Sequence, residues 1–177
     1  MGSGNIGRDP VPSPCSLGRL KMSIGKQIFS RSLFLFHLGG SACNNCDIEI
    51  IDALTPRYDL ERFGITAVGS IRHADIILLS GIFNKKSAIR VARMYEQAPK
   101  PVIVIAIGGC ACTGLIFQDS YNWDVPVGDY IPIDAYVAGC PPKPEAIIAA
   151  ITQVIDKLRN PAAAGDQCEP GRSSGAD

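Results

Sequence analysis

Through the middle of this chain, apolar residues fall in short unbroken runs closed by glycine, with helically spaced apolar positions between them. Residues 33–37 (Leu-Phe-Leu-Phe-His) read as a buried strand that ends at Gly39-Gly40. A helix is expected from Asn44 or Asn45 through Ile48, Ile51 and Leu54. Thr55-Pro56 stops it, because proline lacks an N–H and restricts the residue before it. Residues 65–68 and 76–80 are the next apolar runs, closed by Gly69 and Gly81. Residues 85–97 place Ala88, Val91, Ala92 and Tyr95 on one helical face. Residues 102–107 form the most apolar strand, followed by Gly108-Gly109. Residues 136–138 lead through Gly139 into a helix over 144–158, opened by Pro144 and Glu145. Its apolar face is Ile147, Ile148, Ile151, Val154, Ile155 and Leu158.

Strands that are apolar throughout, alternating with helices, predict an α/β fold: a parallel sheet with helices on both faces. Such sheets place their sites beyond the carboxyl ends of the strands. The regular pattern spans residues 32–159, which read as one domain. Residues 1–31 read as an N-terminal extension and 160–177 as a flexible tail, since both carry little apolar periodicity. Within the extension, residues 18–30 mix basic residues with Leu20, Met22, Ile24, Ile28 and Phe29. That stretch reads equally as an amphipathic segment on a partner or membrane surface and as a solvated arm.

Composition narrows the function classes. At 177 residues, 46% hydrophobic and 19% charged, the chain is long enough for one core without disulfide staples. A formal net charge of zero argues against a nucleic-acid partner, whose surface needs a basic excess. No run approaches the roughly 20 apolar residues of a membrane helix. The first 30 residues show no secretory pattern, so a cytoplasmic address with reduced thiols is expected. Seven cysteines then point to metal binding rather than disulfides.

Cys15 and Cys168 lie in the two terminal extensions, and the other five follow apolar runs. Cys43 and Cys46 form a C-x-x-C after the first strand, Cys110 and Cys112 follow the strand at 102–107, and Cys140 follows that at 136–138. A parallel sheet brings all three groups to one edge. A C-x-x-C alone also suits a dithiol redox pair, but such a pair needs no cysteines at other strand ends. Cys140 is followed by Pro141, as the last ligand of many iron–sulfur runs is. Glycines at 39, 40, 108, 109 and 139 let backbone approach a bulky inorganic cube. One 4Fe–4S cluster is therefore expected, on Cys43, Cys46, Cys140 and either Cys110 or Cys112. Cys110 stands directly behind the strand and double glycine and is favoured. Structural zinc is the alternative, although steps of 64 and 30 positions after the first pair are unlike a compact zinc knuckle.

These motifs resemble a family. Residues 36–49 (Phe-His-Leu-Gly-Gly-Ser-Ala-Cys-Asn-Asn-Cys-Asp-Ile-Glu), Arg72-His73-Ala74-Asp75-Ile76, Gly108-Gly109-Cys110-Ala111 and residues 139–147 (Gly-Cys-Pro-Pro-Lys-Pro-Glu-Ala-Ile) carry the likeness. Together they resemble the small subunit of energy-converting, membrane-bound nickel–iron hydrogenases. The chain is similar too to the complex I subunit that carries the terminal cluster, which is generally marked by two adjacent cysteines rather than C-x-x-C. The resemblance implies a flavodoxin-like fold with Cys43, Cys46, Cys110 and Cys140 as ligands of one 4Fe–4S cluster. It implies an electron-transfer subunit of an oxidoreductase complex, without a complete active site of its own. The implied partners are a large subunit carrying nickel–iron, a ferredoxin-like iron–sulfur subunit and integral membrane subunits. The implied place is peripheral, on the cytoplasmic side of the cell membrane, in a complex coupled to ion translocation. The alternative is the corresponding subunit of a quinone oxidoreductase. Asn45, Ile82, Leu115 and Cys112 depart from the family's usual residues.

Other polar residues are read conservatively. Glu49 is taken as a solvated or capping carboxylate, His37 as a packed imidazole, His73 as a loop or interface residue, and Lys143 as an exposed helix-start lysine. No Ser/His/Asp arrangement or nucleotide fingerprint is expected, and the glycine-rich 108–114 region lacks the lysine and spacing of a phosphate-binding loop.

Overall fold

The computed structural model describes residues 32–118, 120–123 and 126–159. The expectations for residues 1–31 and 160–177 lie outside the described residues, and Leu158 is described in its backbone alone. Five strands are present: β1 (Leu33–Gly39), β2 (Ile65–Ala67), β3 (Ile76–Ser80), β4 (Ile103–Ile107) and β5 (Ala135–Val137). All pair in parallel, in the order β2-β1-β3-β4-β5. The helices are α1 (Asn45–Ala53), α2 (Lys85–Gln97), the short α3 (Gly109–Thr113) and α4 (Pro144–Arg159). This is the flavodoxin-like strand order, with its switch point between β1 and β3.

Both faces of the sheet are covered, which is why the strands lack polar alternation. Leu33, Leu35, Ile76, Leu78, Ile105 and Ile107 pack on one face with Ile50 and Ala53 of α1 and Ile147, Ile151 and Ile155 of α4. Ile77, Leu79 and Val104 pack on the other with Ala88 and Val91 of α2, Phe83 and Ile131. Every residue of β3 and β4 is buried. Each such Ile or Leu contributes about 1.5–3 kcal/mol relative to exposure.

The helix α1 turns inward the face that begins at Cys46. Cys46, Ile50 and Ala53 are buried, while Ile48 and Ile51 are 58% and 62% exposed. Both sets obey helical spacing, so periodicity alone could not choose between them. The core took the stripe that begins at Cys46, because that residue sits at the strand edge. The last strand begins one residue earlier than expected, at Ala135. The helix α3 carries no apolar stripe to announce it; left-handed glycines, Gly108 and Gly114, delimit it instead.

Two aspartates start strands by the same device. The Asp75 N–H donates to Phe34 O (2.8 Å), and the Asp75 carboxylate accepts from Phe34 N–H (2.9 Å). Asp134 repeats this with Val104, at 2.8 Å in both directions. Each carboxylate stands where the next ladder carbonyl would be. Removing the Asp134 acceptor leaves the N–H of wholly buried Val104 unpaired. Asp134→Ala should therefore lower the unfolding free energy by about 1–2 kcal/mol, with Asp134→Asn retaining most of it, as read by urea denaturation.

Candidate functional site

The three cysteine groups do end at one edge of the sheet. Cys43 lies exposed in the loop after β1, and Cys46 is buried in the first turn of α1. Cys110, half-buried, lies in the first turn of α3 after β4, and Cys140, exposed, follows β5. Backbone bonds tie these loops in pairs. Gly40 N–H donates to Ser80 O (2.8 Å) and Ser41 N–H to Ile82 O (2.8 Å), fastening the Cys43 loop to the end of β3. Gly109 N–H donates to Gly139 O (2.7 Å), fastening the Cys110 turn to the Cys140 loop.

Backbone comes against a cysteine sulfur at Gly108, where φ is +88°. A methyl group on that residue would meet Cys46 Sγ at 2.6 Å. Glycine is required twice over, by the backbone conformation and by the sulfur lying against it. Leu115, at φ +46°, packs on the far side of the same turn, where a methyl on Gly109 would come within 2.7 Å of its Cδ1.

The thiols sense one another. Burial pushes Cys46 up to about 11, helped by the charges of Cys110, Cys43, Asp47 and Cys140. Cys110 is raised by burial, then by Cys140 and Cys43. Thus Cys43, Cys46, Cys110 and Cys140 form one electrostatic group. Cys112 stands apart from it. Burial raises its thiol, Cys110 is its one cysteine neighbour in charge, and its S–H donates to Val137 O at 3.8 Å. Among the described residues, no three His, Cys, Asp or Glu side chains are placed to hold a single metal ion. Four thiols delivered from three strand ends are a donor set of the kind that holds a polynuclear iron–sulfur core, which asks for one thiolate per iron rather than several on a single ion.

The first turn of α1 is open at its amino end. Asn44, at φ +69°, makes no side-chain capping bond there. Behind that turn lies a cluster that sequence reading did not foresee. Ser80 Oγ, wholly buried at the end of β3, donates to Asp47 Oδ1. His37 Nε2 lies 2.8 Å from Ser80 Oγ and 3.1 Å from Asp47 Oδ1. The expectation that the chain has no Ser/His/Asp arrangement is thus corrected: Ser80, His37 and Asp47 come from β3, β1 and α1, and only the fold brings them together. The cluster's one sequence signal was a hydroxyl closing an otherwise apolar strand. His37 is a packed imidazole, as expected. Glu49 is half-buried on α1, while Arg72, His73 and Lys143 are exposed.

Comparison with known proteins agrees with the fold and the motifs. Residues 43–154, more than half of the chain, match the family described as NADH ubiquinone oxidoreductase, 20 Kd subunit. The chain is 50% identical over 132 residues to the "Probable membrane-bound hydrogenase subunit mbhJ" of Pyrococcus furiosus, covering 75% of this chain and 79% of that protein. It is 43% identical over 127 residues to an NADH-quinone oxidoreductase subunit of Heliobacterium modesticaldum, covering 71% of each. Among solved structures, a chain of the membrane-bound sulfane sulfur reductase, an archaeal respiratory membrane complex, superposes with a TM-score of 0.68 at 37% identity. That match covers 80% of this chain and 78% of the other. The protein is thus a member of the NADH ubiquinone oxidoreductase 20 kDa subunit family, whose relatives are subunits of hydrogenase and quinone oxidoreductase complexes.

Proposed function

We propose that this chain is the electron-transfer subunit of an energy-converting nickel–iron hydrogenase complex, holding one 4Fe–4S cluster on Cys43, Cys46, Cys110 and Cys140. The observation that carries this reading is geometric: the loops bearing these four thiols leave one edge of the sheet, at the ends of β1, β4 and β5, with the Cys110 turn tied to the Cys140 loop through Gly109 N–H and Gly139 O (2.7 Å) and Cys46 Sγ lying against Gly108. The cluster supplies a one-electron relay when bound. The chain's own residues supply the rest: four sulfur ligands and the glycine turn that admits the buried Cys46. The uncapped first turn of α1 offers N–H groups toward negative sulfur. Cys112, turned to the Val137 carbonyl, is left out of the ligand set.

The hydrogenase reading is supported by the C-x-x-C at Cys43 and Cys46 and by the 50% identity to a membrane-bound hydrogenase subunit. In it, electrons pass from a ferredoxin-like iron–sulfur subunit through this chain to nickel–iron in a large subunit. Integral membrane subunits anchor the assembly on the cytoplasmic side, and this chain is peripheral. Among the described residues, no helix is long and apolar enough to cross a membrane. A quinone-reducing complex is the second reading, favoured by the 43% identity to a quinone oxidoreductase subunit.

Anaerobic copurification with its partners decides between them: nickel and hydrogen evolution support the first reading, and quinone reduction without nickel overturns it. The chain should carry about four iron and four sulfide; zinc in their place would defeat the cluster assignment. Cys43→Ser and Cys140→Ser should abolish or convert the cluster, seen in its visible absorbance and electron paramagnetic resonance. Cys112→Ser should leave both spectra intact, and loss of the cluster there would reverse the choice of Cys110. Gly108→Ala should cut iron content and lower stability by about 1–3 kcal/mol, from strain at a positive φ, as seen by thermal denaturation.

A further inference from the structure

We propose that Asp47, clamped by Ser80 and His37, is a fixed negative charge that holds down the midpoint potential of the cluster carried by the adjacent Cys46. The inference rests on the proposed cluster reading and assigns a tuning role to a side chain that touches no ligand sulfur in that reading.

Two observations carry it. Asp47 follows Cys46 in the first turn of α1, where a carboxylate ordinarily faces its own helix's free N–H groups. Here Oδ1 is turned away to Ser80 Oγ and His37 Nε2, one from β3 and one from β1. Ser80 is the second. It is the one polar side chain among the wholly buried residues described, in a strand whose other members are Ile and Leu. A buried hydroxyl there has a cost unless it is bonded, and its bond goes to Asp47. Because Ser80 O–H donates to the carboxylate, its oxygen accepts from His37 Nε2–H.

A carboxylate held about one residue from a ligand, partly out of water, acts at low effective dielectric. Reducing the cluster adds one electron's negative charge beside it, so the fixed anion opposes reduction. Ser80 and His37 hold the carboxylate in place; both are positioning residues. Freed of them, Asp47 would swing toward solvent, where water screens it.

The test is a potentiometric titration followed by electron paramagnetic resonance, at one pH, on the complex purified anaerobically with its partner subunits. Asp47→Asn keeps the shape and removes the charge, and it should raise the midpoint potential. Ser80→Ala should raise it by less. The double variant should match Asp47→Asn alone, because Ser80 acts only through that carboxylate. Unchanged potential in Asp47→Asn at full iron content overturns the proposal, as does an additive shift in the double variant. If Asn at position 47 costs the cluster, Ser80→Ala carries the test, and a lowered melting temperature with unchanged potential there marks a merely structural network and overturns it. Wild-type protein without iron and sulfide overturns the cluster reading itself, an outcome distinct from both.

Discussion

A parallel sheet releases every strand at the same edge, and the rest of this structure follows from that constraint. The registers of β1, β3, β4 and β5 are continuous, Gly39 opposite Ser80 and Ser80 opposite Ile107, so the strand ends lie level. Residues that follow them can therefore meet, although Cys43 and Cys140 are far apart in sequence. The hydrophobic effect supplies the free energy for this, through β3 and β4 buried on both faces. The meeting of the thiols is a consequence of topology, which explains why the loops themselves need only short backbone ties such as Gly109 N–H to Gly139 O.

What could be read in the chain, and what could not, divides along physical lines. The buried strands were legible because apolar runs closed by glycine have few alternatives. The convergence of Cys43, Cys46, Cys110 and Cys140 was legible once the sheet was taken as parallel. The inward face of α1 was not, because Ile48 and Ile51 carry a helical stripe as good as that of Cys46, Ile50 and Ala53. Tertiary packing settled a tie that local pattern leaves open. The paired aspartates, Asp75 and Asp134, were also hidden: their role is to complete a ladder with residues from another strand. The Ser80–Asp47–His37 cluster was hidden for the same reason, since its members come from β3, α1 and β1.

Charge gives the site its final logic. Burial, with the charge of its neighbours, holds Cys46 up to about 11. In the proposed reading, binding an iron–sulfur core takes the proton from that thiol, so affinity rises with pH. The arrangement also separates two duties. Cys43 and Cys140 are exposed, where a partner or an assembling metal can reach them, whereas Cys46 is sealed against Gly108. Asp47, next to Cys46 in the same first turn, is held by Ser80 and His37. In the proposed reading, a carboxylate fixed there by a buried serine bears on the energy of the electron more than on the retention of the cluster.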